Sequence, residues 1–419
     1  MIDRNTPPPY ITIDKVGLVP IQKAELNNGS PLYYITNSQL RVFRLELVFR
    51  AGSVFGNLPT DAYFTSTLLN SGTDTLDSAA ITSKFESLGA SFECTQGFEY
   101  FTVRLLGLSS YFEESVAFFK EVLFNAIFPE KELEIAINRQ IQSYRIGLEK
   151  SDVVCNQQFK KRMFGEQSPY GLIVDEDLLH SVKQSQLRDF YLQKVQNGSY
   201  AVYLAGNVSS EQIVFVKSVF DANATFKETA SLPNATLSAS FSEKIEKEKA
   251  VQCSIKLGKP IIGRTHPDYA KFMLSNVLFG GYFGSRLMKN IREEKGLTYG
   301  ISSSASPVGP HWIWSINSAV KKENIDIVLT EIEKELEILK TEVPSDEELQ
   351  TVKNYISGSV LSGMNTVFDI IDKHRLIHQE GLSSTYYEDL LPAIHAVNAD
   401  EVGQIAETYM TGLSRFIVG

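Results

Sequence analysis

The chain has 419 residues, of which 43% are hydrophobic and 21% are charged, and its formal net charge is -10. This length exceeds what one ordinary hydrophobic core organises, so two domains are expected, and the composition is typical of a globular protein. The acidic balance argues against a nucleic-acid partner, because such partners require basic patches.

The three cysteines, Cys94, Cys155 and Cys253, are widely spaced and match no CxxC pattern. The sequence therefore indicates neither a disulfide framework nor a thiolate metal cluster, and the lone cysteines are interpreted as small buried residues. The N-terminal residues lack the apolar segment of a secretory signal, and no run approaches the roughly 18 apolar residues of a membrane span. We predict a cytoplasmic protein without a membrane span.

The first half of the chain alternates between strand and helix patterns. Apolar periodicity and turn residues predict the following elements in chain order. They are an alternating strand pair over 31–34 and 42–49, helices over 59–70 and up to Leu88-Gly89, strands over 91–94 and 100–106, a helix over 111–124, and a helix opened by Pro129.

The second half repeats this order. It contains a strand over 251–257, a helix over 268–278, a helix end over 291–296, a strand over 312–319, a helix over 325–339, and a last long helix opened by Pro344. Asp61 and Asp268 have the same separation as Gly89 and Gly296, so the two halves form an internal repeat.

The segment between the repeats, 221–249, is rich in Ala, Ser, Thr, Lys and Glu and has little apolar periodicity, so it is the predicted linker. Residues 1–220 and 250–419 are the predicted domains. Each is expected to be α+β, a mostly antiparallel sheet covered on one face by helices, and the two domains would face each other across a cleft.

The run from Phe279 to Ser304 combines a Gly-rich loop, a helix and a strand. Gly280 and Gly281 suit a tight turn, and Ser285 follows them in the loop. The apolar spacing of Phe283, Leu287 and Ile291 predicts an amphipathic helix over 283–295, which Gly296 ends.

Arg292 lies in the last turn of this predicted helix, and Tyr299 follows seven residues later at the start of the next predicted strand. A guanidinium and a phenol in one space can hold a peptide backbone. Separately, Arg292 could serve the helix dipole and Tyr299 could pack at a sheet edge. Their joint occurrence with the loop favours a binding role.

Other candidate sites have simpler explanations. His374 and His378 have the i, i+4 spacing of a helical metal pair, with Asp369, Asp372 and Glu380 nearby, but a solvated helix face explains them equally well. The loop 280–285 lacks the G-K-[ST] ending of a phosphate-binding loop. Ser302, Ser303 and Ser304 are interpreted as strand residues because no hydrolase order of His and carboxylate accompanies them.

The order of elements, the duplication and the run GGYFGSRLMKNIREEKGLTY (280–299) resemble the pitrilysin, insulinase and mitochondrial processing peptidase family, the inverted zincins. The resemblance spans nearly the whole chain. It implies that Arg292 and Tyr299 reach the active site of a zinc-bearing domain, where they help hold the substrate or transition state.

The family also carries H-x-x-E-H on the first helix of its first domain and a further Glu as the third ligand. Alignment with this motif places Tyr63, Ser66 and Thr67 at the His, Glu and His positions and Gln140 at the third ligand. Neutral hydroxyls do not compensate a dication, and Ser66 is no base near neutral pH. None of the six histidines forms such a motif, so we predict no metal in this chain.

The resemblance implies a division of labour between two chains, one with zinc and one with the arginine and tyrosine. Our hypothesis is a non-catalytic, peptide-binding subunit that pairs with a zinc-bearing homologue to form a metalloendopeptidase acting on peptides or unfolded segments. Zinc is expected in the partner, and this chain alone is expected to have no metallopeptidase activity. The alternatives are a non-enzymatic scaffold or peptide-binding homodimer of the same fold, and a zinc-independent enzyme.

Overall fold

The computed structural model describes residues 13, 15–220, 231–238, 240–248 and 250–419. The first domain contains a six-stranded sheet in the order β1-β2-β6-β3-β5-β4. Its strands are β1 (Gln22–Glu25), β2 (Pro31–Thr36), β3 (Val42–Phe49), β4 (Ser91–Gln96), β5 (Phe101–Leu108) and β6 (Tyr200–Gly206). Its helices are α1 (Pro59–Leu68), α2 (Ser78–Ser87), α3 (Phe112–Phe124), α4 (Glu130–Glu149), α5 (Ser151–Phe164), α6 (Glu176–His180), α7 (Gln184–Phe190) and α8 (Ser210–Val219).

The second domain contains a five-stranded sheet in the order β7-β11-β8-β10-β9. Its strands are β7 (Ser242–Ile245), β8 (Cys253–Ile261), β9 (Thr298–Val308), β10 (His311–Val320) and β11 (Ser414–Val418). Its helices are α9 (Tyr269–Asn276), α10 (Ile325–Thr341), α11 (Asp346–Ser362), α12 (Val367–Glu380), α13 (Tyr386–Ala396) and α14 (Ala399–Tyr409). The predicted α+β class with two mostly antiparallel sheets is confirmed, since only β2 with β6 and β7 with β11 pair in parallel.

Alternating burial explains why each sheet has a helix-covered face. Phe101, Val103 and Leu105 of β5 point into the first core, whereas Arg104 and Leu106 point to the opposite face. In α10, buried apolar residues recur at helical spacing and pack in the second core.

The opposite face of each sheet is covered by a helix from the other domain. Phe159 and Met163 of α5 pack with Phe416 of β11 in the second sheet. Ile370 and Ile371 of α12 pack with the first sheet. Because α5 and α12 are each the third α-helix after their domain's β-hairpin, the exchange follows the internal repeat.

Three details differ from the sequence expectation. β2 and β3 are not neighbours, because β6, which is largely buried, lies between them. The helix opened by Pro344, α11, is not the last, since α12, α13 and α14 follow. Ser242–Ile245, which the sequence placed in the linker, forms strand β7, and residues 221–230 of that linker lie outside the described residues.

No helix in the described part of the chain is both long and apolar enough to cross a membrane.

Candidate functional site

The first site element is the pair of helices α1 and α4, on which the family resemblance places the zinc-ligand positions. α1 starts at Pro59, where a proline costs no hydrogen bond. The Tyr63 hydroxyl donates a hydrogen bond to Gln140 Oε1 at 2.8 Å. Ser66 Oγ and Thr67 Oγ1 both donate to the Tyr63 carbonyl, at 2.7 and 2.9 Å. The structure thus brings Tyr63 and Gln140 into contact and turns both hydroxyls back onto their own helix.

This arrangement does not suit a zinc ion. Zinc in proteins is held by imidazole, thiolate or carboxylate donors, whereas a phenol, two aliphatic hydroxyls and an amide are neutral. The phenol and the amide of Tyr63 and Gln140 also satisfy each other. In the regions that the structure describes, no group of three or more His, Cys, Asp or Glu residues is placed to hold a metal ion. We therefore derive no metal chemistry from this chain.

The second site element is the loop and helix that carry Arg292. The loop after Gly281 leads into a helical segment whose turns from Met288 to Glu294 are π-helical. Leu287 and Ile291 are fully buried, as the periodicity predicts, but Phe283 lies before the helix and is 63% exposed. The prediction that Phe283 belongs to the buried face of this helix is therefore wrong.

Phe283 instead contacts Arg292. The Arg292 guanidinium carbon lies 4.7 Å from the centre of the Phe283 ring, within the range of a cation–π interaction. Gly296, at φ +63, ends the helix, and the Leu297 amide bonds the Ile291 carbonyl in a C-terminal cap. Among the described residues, no carboxylate forms an ion pair with Arg292, so its outer face is available to a ligand.

Tyr299 lies at the start of β9, the edge strand of the second sheet. The β9–β10 register shifts here between Ser318 and Val320, and such bulges re-aim side chains. Thr298 Oγ1 fixes the bulge by donating to the Ala319 carbonyl at 2.7 Å. Tyr299 is 87% exposed. No hydrogen bond joins it to Arg292 in the described chain, but β9 packs against the helix that carries Arg292.

The Gly-rich loop is shaped by close packing. A Cβ on Gly280 would lie 2.6 Å from Ser303 Oγ, so this position requires glycine. Gly280 and Gly281 lie in a π-helical extension of α9 over Val277–Gly281, so the predicted tight turn is wrong. Ser285 is almost fully buried. The loop is anchored on α11 by a two-pronged ion pair between Arg286 and Glu348, at 2.9 and 2.8 Å.

The sequence did not indicate Asn276, which supports the site through buried hydrogen bonds. Its buried Oδ1 accepts hydrogen bonds from Ser303 Oγ and from Trp314 Nε1, each at 2.7 Å. Asn276 thereby ties α9 to β9 and β10. Its only sequence signal is a polar residue directly before the apolar run Val277–Phe279.

The two histidines of α12 belong to the domain contact. His378 Nδ1 lies 3.2 Å from the Tyr203 hydroxyl, and its ring lies 4.2 Å from that of Tyr33. Partial burial lowers the pKa of His378 to about 4, which keeps the imidazole neutral at pH 7. His374 Nε2 lies 3.0 Å from the Val19 carbonyl. His378 is exposed and His374 is partly buried, so both histidines lie on the partly solvated side of α12 while Ile370 and Ile371 pack on the first sheet.

Comparisons with known proteins agree with this fold. Residues 34–168 match the family model described as Insulinase (Peptidase family M16), and residues 181–356 match the model described as Peptidase M16 inactive domain. The chain belongs to the M16 family of peptidases and their homologues, which is the pitrilysin-like family that the run 280–299 indicated.

Individual relatives show the same mixture of active and inactive descriptions. An uncharacterized zinc protease, YmxG of Bacillus subtilis, is 21% identical over 84% of this chain and 85% of its own length. A non-peptidase homolog, YmxG of Helicobacter pylori, is 22% identical over 92% of this chain and 90% of its own length. The crystal structure of a peptidase M16 inactive domain from Pseudomonas fluorescens matches with a TM-score of 0.85 and 24% identity, covering 96% of this chain and 98% of that one. The relatives therefore include both proteins described as zinc proteases and proteins described as inactive homologues.

Proposed function

We propose that this chain is the peptide-holding subunit of a two-chain zinc metalloendopeptidase and that its partner is a zinc-bearing homologue. One observation carries the proposal: the predicted zinc-ligand positions Tyr63 and Gln140 hydrogen-bond each other, while Arg292 has no ion-pair partner among the described residues and Tyr299 is exposed on the edge strand β9. In an active site shared by two chains, one chain can lose the metal ligands while it keeps the residues that hold the substrate.

The substrate is an extended peptide or an unfolded protein segment. The free edge of β9 offers main-chain donors and acceptors with which such a segment pairs as an added strand. Arg292 and Tyr299 donate hydrogen bonds to the peptide carbonyl, and these strengthen as negative charge develops on its oxygen. Zinc bound by the partner supplies the activated water.

The paired enzyme acts in the cytoplasm, where three unpaired cysteines are compatible with a reducing environment.

The test is a cleavage assay with an unfolded peptide and a zinc-bearing homologue that copurifies with this chain. Full activity is expected only when both chains are present. Arg292→Ala and Tyr299→Phe are each expected to lower kcat/KM at least tenfold, which corresponds to about 1.4 kcal/mol of lost transition-state stabilisation. Arg188→Ala, which alters an exposed arginine on α7, is the matched control and is expected to leave activity unchanged.

Cleavage that proceeds equally well without this chain contradicts the proposal. The second candidate is a non-enzymatic, peptide-binding homodimer. The Helicobacter pylori relative, a non-peptidase homolog, supports the non-enzymatic part of this alternative. A stable homodimer in sedimentation experiments, with no zinc-bearing homologue captured from the native source, supports this alternative.

A further inference from the structure

The edge strand β9 has two unlike sides. On one side, Ile301 and Ser303 are buried beneath the helical elements of the second domain. On the other side lie small residues that are all exposed, namely Gly300, Ser302, Ser304 and Ser306. A segment that pairs with this edge places its side chains alternately on the two sides. Its two sets of side chains therefore meet different surroundings.

An exposed aromatic ring belongs to the buried side of β9. The π-helical segments Val277–Gly281 and Met288–Glu294 both pack against this strand. The loop between them carries Phe283, whose ring is 63% exposed and rests on Arg292 of the second segment. Tyr299, at the start of the strand, is 87% exposed. A segment paired with β9 therefore has the Phe283 ring on one of its sides only.

The loop that carries Phe283 is fixed in place. The ring of the preceding residue, Tyr282, stacks on Tyr355 of α11 with ring centres 4.9 Å apart. Three residues after Phe283, the side chain of Arg286 forms its two-pronged ion pair with the same helix. The fold thus holds a large apolar ring in water at a defined position, although burial of the ring would be favourable.

The helical segment beneath Phe283 is fixed as well. Asn290 Nδ2 donates hydrogen bonds to Glu331 Oε2 at 2.9 Å and to Glu335 Oε1 at 2.6 Å, and both glutamates belong to α10. Lys295 Nζ pairs with Glu331 at 3.2 Å. The stacked surface of Phe283 and Arg292 is therefore formed before a ligand arrives, as a selective site requires.

The surroundings of this surface favour an apolar side chain over a charged one. The exposed charges next to Arg292 on its helix are of both signs, since they come from Lys289, Glu293 and Glu294. They do not select a ligand charge of one sign. A large apolar side chain that covers Phe283, in contrast, removes the ring from water and gains the contact that an aromatic face offers.

We infer that the segment held at β9 carries a large apolar side chain on the side that faces Phe283, and that Phe283 is the residue that selects it. The neighbouring side chains of the segment point to the side of Ser302 and Ser304, where small exposed residues impose no selection. This inference rests on the proposed function, because it assumes that a peptide pairs with β9, and it adds the class of sequence that the site prefers.

The inference is tested on the isolated chain by fluorescence anisotropy with labelled peptides. The host peptide is Ser-Thr-Ser-Xaa-Ser-Thr-Ser, in which the β-branched threonines favour an extended chain and Xaa is Leu, Gln, Lys or Glu. We expect the Leu peptide to bind about tenfold more tightly than the Gln peptide. The Lys and Glu peptides are expected to bind no more tightly than the Gln peptide.

Phe283→Ser is expected to reduce this preference to less than about threefold. Phe283→Leu keeps an apolar side chain but loses the ring that stacks on Arg292, and it is expected to retain most of the preference. Val214→Ser, which removes a 66% exposed apolar side chain on α8, is the matched control and leaves the preference unchanged. Arg292→Ala is expected to weaken all four peptides by a similar factor. Circular dichroism establishes that each variant is folded.

Equal affinity for the Leu and Gln peptides, a preference that survives Phe283→Ser, or no saturable binding up to millimolar peptide overturns the inference. Equal binding of all four peptides that is lost in Arg292→Ala contradicts the inference and leaves the peptide-holding role intact. Paired cleavage that does not need this chain contradicts the proposed function, whereas a preference that depends on Phe283 would still support the inference.

Discussion

At the residue scale, the positions that the family motif predicts for zinc ligands hold neutral side chains that do not suit the ion. The side chains of Tyr63 on α1 and Gln140 on α4 are long enough to reach each other between the helices, where they form a hydrogen bond. The sequence could place both residues through the family motif. It could not show that they contact each other, because that depends on side-chain rotamers and helix packing.

This interpretation predicts that zinc binding can be restored. In the combined variant Tyr63→His, Ser66→Glu, Thr67→His and Gln140→Glu, three zinc ligands and a catalytic base return to one helix pair. We expect one zinc ion per chain by elemental analysis after dialysis, against none in the wild type. The matched control keeps Gln140 and changes only the three α1 residues, and it is expected to bind zinc at least tenfold more weakly. Failure of the full variant to bind zinc, while folded, would show that α1 and α4 do not occupy the family's ligand geometry.

At the scale of elements, the run from Phe279 to Ser304 shows which structural features apolar periodicity can predict and which it cannot. Leu287 and Ile291 were correctly placed on a buried helix face, and Gly296 correctly ends the helix. The π-helical turns and the exposed Phe283 were not predictable, because a 3.6-residue period assumes uniform turns. β6 was missed for another reason: a strand buried on both faces has no alternating pattern.

The contact of α5 with β8 contains a lysine without a carboxylate partner in the described chain. Lys256 Nζ donates to Asn156 Oδ1 at 2.8 Å and to Asn317 Oδ1 at 2.9 Å. Burial lowers the pKa of Lys256 to about 8, and the neighbouring Cys155 offers no negative charge at neutral pH, because burial raises its pKa to about 11.

This environment predicts that Lys256 lowers the free energy of unfolding by an amount that depends on pH. Below pH 8 Lys256 is charged in the folded and the unfolded protein, so folding carries the full free-energy cost of desolvating the charge. Between pH 8 and 10.5 the folded protein has lost the proton that the unfolded chain still holds, so this cost declines. Lys256→Met is therefore expected to raise the free energy of unfolding by roughly 1–2 kcal/mol at pH 7 and by clearly less at pH 10, after allowance for partial solvent screening. Urea denaturation at both pH values measures the difference, with the exposed Lys84→Met as control. A gain that grows with pH would contradict this account.

At the scale of the whole molecule, the domains are joined by the exchange of α5 and α12. The internal repeat in the sequence predicted two similar units, and the fold confirms two similar sheets. The exchange itself was not visible, because a repeat does not reveal which sheet a helix covers. Without α12, apolar residues of the first sheet such as Val48 would be uncovered, so the two domains depend on each other for burial.

A buried charge cluster makes the same connection between the domains. Glu46 of β3, which is 1% exposed, pairs with Arg104 at 2.6 Å, with Arg44 at 3.4 Å and with Arg375 of α12. Asp372 of α12 pairs with Arg44 at 2.7 Å. Three guanidinium groups from two domains thus share one buried carboxylate.

We predict that Glu46→Gln lowers the free energy of unfolding by roughly 3 kcal/mol, because removal of one partner leaves buried charges uncompensated. The matched control is Glu93→Gln, which affects a half-exposed carboxylate 3.4 Å from Arg104 and is expected to change stability by less than about 1 kcal/mol. Urea denaturation, followed by far-UV circular dichroism and by tryptophan fluorescence, measures both variants. Because both tryptophans lie in the second domain and Glu46 lies in the first, a matching shift of the fluorescence transition shows that the cluster stabilises the domains as one unit. A Glu46→Gln transition within about 0.5 kcal/mol of the wild type would contradict this role.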